Sequence, residues 1–220
     1  MEKITPEIDV KTIVLRGNFN PQLYQPAWFA FNNLLHKDVI ETAKGLNINS
    51  VLTQFSFEEF QVQVTEDRFA VGVESALYSE PLRDLVLGTF MLLHHTPIEM
   101  IGINRQVHFH LEKEEQLSKI LNHFAPKSEW KDVLDEASFE SIVFRGNRKD
   151  KYEGFIRVAV TPSPKYKPGL FIDINDHYNL IDRTEKIVTA DKALNVLKSA
   201  WDASHKMTES IIYSIYSKRT

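Results

Sequence analysis

Phe60-Gln61-Val62-Gln63-Val64-Thr65 and Arg68-Phe69-Ala70-Val71-Gly72-Val73, parted by the turn pair Glu66-Asp67, decide how this chain is read. Side chains that alternate apolar and polar at a period of two mark a strand with one wet face. Working outward, Phe55-Ser56-Phe57 precedes them across a turn at Glu58-Glu59, and an amphipathic helix follows from Ser79 until Pro97 stops it. The pattern then recurs. Ile142-Val143-Phe144-Arg145, Ile156-Arg157-Val158-Ala159-Val160-Thr161 and Leu170-Phe171-Ile172-Asp173-Ile174 are again three strands, and a long helix begins after Thr189. In the two helices Glu80, Val86, Phe90 and His94 fall in step with Asp191, Leu197, Trp201 and His205.

Each half also opens in the same way. Lys11 to Phe19 reads as a strand, and Pro26 starts a helical pattern through Trp28, Phe31, Leu34, Leu35 and Val39 that closes near Gly45. The second half opens with a strand from Ile98 to Leu111 and a charged helix from Lys113 to Phe124. The expected fold is α+β: two tandem β-α-β-β-β-α repeats, residues 7–96 and 97–220, forming antiparallel sheets with helices packed on one side. Neither half could close its own sheet edges, so a single domain over residues 1–220 is expected. In the Ile98–Leu111 strand, Ile101, Ile103, Val107 and Phe109 share one face and Asn104, Gln106, His108 and His110 the other. Arg105 interrupts the apolar face, which implies a bulge, an edge or a buried ion pair.

Composition narrows the chemistry. Of 220 residues, none is cysteine, which excludes disulfides, thiolate metal sites and cysteine nucleophiles. The net charge of −4 argues against bulk attraction to nucleic acid or anionic membrane. The opening Met1-Glu2-Lys3-Ile4-Thr5-Pro6 has no apolar core of a leader, and the longest apolar run, Leu85 to Leu93, is too short to span a bilayer, so a cytoplasmic setting is expected. There is no phosphate-binding glycine loop, no GxSxG, no HExxH and no dinucleotide fingerprint.

Four constellations remain. Asp173-Ile174-Asn175-Asp176-His177 ends a strand, where acidic residues could bind a divalent cation or act as a general base, or simply form an Asx turn. His108 and His110 project from one strand face and could hold a divalent metal with His94 and a carboxylate such as Asp173 or Glu74. Outward alternation explains the same histidines without a ligand. A basic stretch, Arg145, Arg148, Lys149, Lys151, Arg157, Lys165 and Lys167, is interleaved with Tyr152, Phe155 and Tyr166, as in single-strand nucleic-acid binders. Finally, the last helix is longer than a compact domain needs, and Trp201, Ile211, Ile212, Tyr213, Ile215 and Tyr216 are good anchors for a partner or a homodimer.

The strands Arg68-Phe69-Ala70-Val71, Ile101-Gly102-Ile103-Asn104-Arg105 and Gly169-Leu170-Phe171-Ile172-Asp173-Ile174-Asn175, with the closing helix around His205, resemble a sporadically distributed family of uncharacterised bacterial proteins. That resemblance spans nearly the whole chain. It implies a bacterial or phage setting of the defence or mobile-element kind, and it carries no catalytic residues. The leading expectation is a non-catalytic interaction protein, an adaptor, regulatory subunit or antitoxin-like partner in a defence or stress system, with no cofactor. A metal-dependent enzyme and a nucleic-acid-binding module are the alternatives.

Overall fold

The computed structural model describes residues 4–181 and 188–220, Ala76 by its backbone alone. The leader reading rests partly on Met1–Lys3, which lie outside the described residues. The strands are β1 (Ile8–Gly17), β2 (Lys44–Ile48), β3 (Leu52–Phe57), β4 (Phe60–Thr65), β5 (Arg68–Val73), β6 (Ile98–His110), β7 (Ile142–Asn147), β8 (Gly154–Pro162) and β9 (Gly169–Asn179). The helices are α1 (Pro26–Phe31), α2 (Val39–Thr42), α3 (Ser79–Leu92), α4 (Glu114–Phe124) and α5 (Asp191–Tyr216). All nine strands join one antiparallel sheet, in the order β2-β3-β4-β5-β1-β6-β9-β8-β7. The α+β class is therefore as the alternation requires. The order β3-β4-β5-β1 in the first half is matched by β7-β8-β9-β6 in the second, and the halves meet where Ile13 of β1 faces Ile103 of β6.

One parity of every strand faces the helices. Phe55, Val62, Val71, Ile13 and Ile103 pack with Leu82, Val86, Phe90, Leu197 and Trp201 in one core. Toward the other end of the strands, Val107, Phe109, Ile172 and Val160 meet Leu117, Ile120, Leu121, Ile212 and Ile215. Burying each such side chain stabilises the fold by about 1.5–3 kcal/mol. All five helices contribute buried residues to these two cores, so they lie on a single side. No helix among the described residues is long and apolar enough to cross a membrane.

Two local expectations need correcting. The helical pattern from Pro26 to Gly45 is broken, because Asn32 turns its side-chain amide back to the Trp28 carbonyl at 2.8 Å and Asn33 takes a left-handed φ of 54°. Ending α1 there leaves Phe31 80% exposed. Strand β2 then follows from Gly45 at φ 62°, a turn that suits glycine, and adds an outer strand that periodicity did not show. At the head of α3, Tyr78 takes the capping position, and the Ser79 hydroxyl is used elsewhere.

Candidate functional site

The sheet face away from the helices is the candidate site, and the register assembles it. Lys44, Ser56, Gln61, Gly72, Thr12, Asn104, Asn175, Arg157 and Arg145 are successive cross-strand partners. They make one row across all nine strands, uncharged in the middle and cationic at both ends. Beside it runs a second row, Gln54, Gln63, Ala70, Val14, Gly102, His177 and Phe155. A cavity of ≈ 450 Å³ is lined by side chains from β2 through β6, Lys44 and Gln106 among them. Six adjacent strands can line one cavity only if the sheet curls, so this face is concave.

Its centre carries unmet hydrogen-bonding capacity. Asn104 and Asn175 face each other across β6 and β9, and both Oδ1 atoms are buried without a partner among the described residues. Buried polar atoms normally have partners, so an unpartnered pair on a concave face points to a ligand or ordered water. Arg68 is a half-buried cation that donates to Gln63 Oε1 at 2.7 Å and has no carboxylate within ion-pair distance among the described residues. Burial and the Arg16 guanidinium opposite it depress its pKa, while Asp67, which pairs with Arg16, pulls the other way.

The histidines are not gathered into a metal centre. His94 closes α3 beyond one end of β6, whereas His108 and His110 lie at the other end, about 33 Å away by strand rise. Asp173 lies on the same face as His108, but its carboxylate is taken by Gln106 Nε2 at 3.0 Å and Arg157 Nη1 at 3.2 Å. No group of three or more metal-ligating side chains of the His, Cys, Asp and Glu types occurs among the described residues. His108 is also 8% exposed rather than outward, because the β8–β9 loop folds over it. Ser163 Oγ accepts from the backbone N–H groups of Lys165 and Tyr166, so its own hydroxyl donates to His108 Nδ1 at 2.8 Å. His108 stacks on Phe171 at 4.4 Å.

The basic stretch does not form one patch. Arg148 is 5% exposed, ion-paired to the fully buried Asp176 and to Asp150, and lies over the Tyr178 ring. Although burial opposes its charge, those carboxylates raise its pKa further. Arg157 pairs with Asp173. Lys149, Lys151, Lys165 and Lys167 stand on connecting segments, leaving Arg145, stacked over Phe155 at 3.7 Å, as the cation of this stretch on the concave face without an ion-pair partner among the described residues. The helix stripe is likewise mostly core. Trp201, Ile212 and Ile215 are 2%, 5% and 6% exposed, Tyr216 stacks on Phe109 at 4.3 Å, Ile211 packs against the same core, and Tyr213 alone is exposed. Trp201, Ile212 and Ile215 are thus withdrawn from the expected interface, since a partner cannot reach them.

Between α3 and α5 lies a Ser–His pair. His205 Nδ1 is 3.0 Å from the Trp201 carbonyl and must donate to it, so Nε2 accepts from Ser79 at 3.1 Å. That is the hydrogen bond a nucleophile needs, yet Ser79 is 8% exposed and roofed by helices. Trp201 Nε1 donates to Glu80 at 2.9 Å beside it, which ties α5 to α3.

Burial depresses the pKa of His108, His177 and His205, with Lys165 adding to the effect at His108 and Arg145 and Arg148 at His177. A depressed folded-state pKa means the unfolded chain takes up protons first. Stability is therefore complete above the ordinary value of 6.5 and is lost as pH falls through it. Thermal unfolding should give a constant Tm above about pH 7.5 and a Tm several degrees lower near pH 5.5. A flat profile would contradict the buried, neutral state of these rings.

Sequence reading did not single out Thr12, Lys44, Gln61 or Arg68 as site residues, and it named Asn104 and Asn175 only as polar positions beside His108 and Asp173. Each is the polar member of an alternating strand, and only the register shows that they share a row. No protein-family model matches the chain, and no curated protein is similar to it.

Proposed function

We propose that this is a non-catalytic binding protein, a regulatory subunit or adaptor of the antitoxin-like kind, which works through the concave face rather than through α5. The observation that carries the reading is the partnerless Asn104–Asn175 pair at the centre of a polar row that crosses every strand. A sheet of this size that the described helices cover on one side alone leaves its other face for recognition, and fixed strands hold side chains there with little entropy to lose on binding. We further propose that residues 7–96 and 97–220 are tandem repeats. The matching strand orders of the halves support this, and so does their junction at β1 and β6, which sets the row's centre.

A photo-crosslinking residue placed at Gln61 or Gln106, both exposed on the concave face, should form adducts in cells that make the protein. The same residue at Asp202 or Lys206, exposed on α5, should form none. Adducts at α5 alone would overturn the assignment.

A further inference from the structure

Resting on that concave-face reading, we infer that its ligand is double-helical nucleic acid, held by its minor groove along the cross-strand row. Three features of the face carry this. First, the charge is distributed as a duplex requires. Lys44 on β2 and Arg145 on β7 end the row, Arg68 stands between β4 and β1, and none of the three has a carboxylate within ion-pair distance among the described residues. The opposing charges on this face are Glu74 at the cavity rim and Asp173, which is paired with Arg157. Eight strand spacings of about 4.8 Å set the ends roughly 38 Å apart along the surface. Curvature shortens that span toward the roughly 34–36 Å of one duplex turn. Two cations one turn apart meet equivalent phosphates of the same groove.

Second, the middle of the row offers amides and small groups: Gln61, Gly72, Thr12, Asn104 and Asn175. Asn, Gln and Arg are the side chains that read minor-groove edges, whereas the major groove admits a helix or a projecting two-stranded ribbon. Among the described residues this face carries neither. The exposed Gln61 would meet base edges directly, whereas Asn104 and Asn175, whose Oδ1 atoms are buried, would have to turn their amides outward to do so.

Third, the aromatic side chains argue against a single strand. Phe155 stacks on His177 at 4.4 Å and 19°, Phe171 stacks on His108, and Arg145 covers Phe155. Phe155 is engaged by both His177 and Arg145 and Phe171 by His108, whereas single-strand binders keep such faces free for bases.

The test is fluorescence anisotropy with a labelled duplex of about 20 base pairs, two helical turns, against the full chain. Three phosphate contacts predict a slope of log K against log salt near −3. Lys44→Glu/Arg145→Glu should weaken binding tenfold or more and flatten the slope to about −1. Lys198→Glu/Lys206→Glu, the same charge change on α5, should leave the slope unaltered. Netropsin, which fills the minor groove, should displace the protein. Tighter binding to the single strand, insensitivity to netropsin or to the Lys44/Arg145 change, or no binding at low salt would each overturn the inference. If crosslinks still form at Gln61 and Gln106 when duplex binding fails, the concave-face reading stands and only the ligand class falls.

Discussion

Asp176→Ala should destabilise the fold by about 3–5 kcal/mol, the usual cost of removing one member of a buried ion pair. Asp176 is 0% exposed and sits on the helix-facing side of β9, between Ile103 and Ile156 in register. It accepts from Arg148 Nη1 and, at 2.9 Å, from the Tyr178 hydroxyl. Without it, Arg148 keeps only Asp150, which is 43% exposed, and the buried Tyr178 hydroxyl loses its acceptor. Replacing both partners with apolar side chains, Arg148→Met/Asp176→Leu, removes charge and acceptor together and should cost far less than the single change, though Tyr178 still lacks its bond. Urea unfolding reads the difference as a fall in midpoint at unchanged m-value. A loss under about 1 kcal/mol in Asp176→Ala would show that water reaches the Arg148 guanidinium. The same reasoning assigns a meaning to Arg148→Ala: weaker nucleic-acid binding in that variant would report lost structure, not a lost phosphate contact.

The strands were legible because alternation is a local signal, and it placed Gln61, Gln63 and Val62 on their correct faces. The interruption at Arg105 was also legible, and of the three explanations the structure supplies the ion pair, with Asp9. What escaped was set by partners distant in sequence. His108 alternates outward, but a loop 55 residues away closes over it through Ser163. Arg148 looks like one of a run of surface cations until a strand 28 residues later brings Asp176 beneath it. Trp201 reads equally well as anchor or core, because helical periodicity gives a stripe without saying what covers it.

The second large effect lies at the junction of the two halves. Asp9→Ala should cost about 3 kcal/mol, the lower end of the range because Arg105 and Asp9 retain 12% and 15% of their exposure. Arg105 Nε and Nη2 grip the Asp9 carboxylate at 2.9 and 2.8 Å, a bidentate pair on the helix-facing side. Directly opposite Arg105 is Lys11, 8% exposed, whose ammonium is pushed below its usual pKa by burial, with Asp9 pulling the other way. Removing Asp9 would leave two buried cations face to face, and like charges opposed across strands are destabilising even at the surface. Lys11→Met in the Asp9→Ala background should therefore recover much of the loss, while Lys11→Met alone should be close to neutral. If the double variant were no more stable than Asp9→Ala, repulsion from Lys11 would be excluded as a cause. The pair has a further consequence for register. Slipping β1 against β6 by one residue would turn Ile13 and Leu15 to the wet face, but a slip of two keeps every apolar side chain inward. Hydrophobic patterning is blind to that second error, and the Asp9–Arg105 grip is what opposes it. Amide exchange across β1 and β6 should accordingly accelerate in Asp9→Ala more than across β3 and β4.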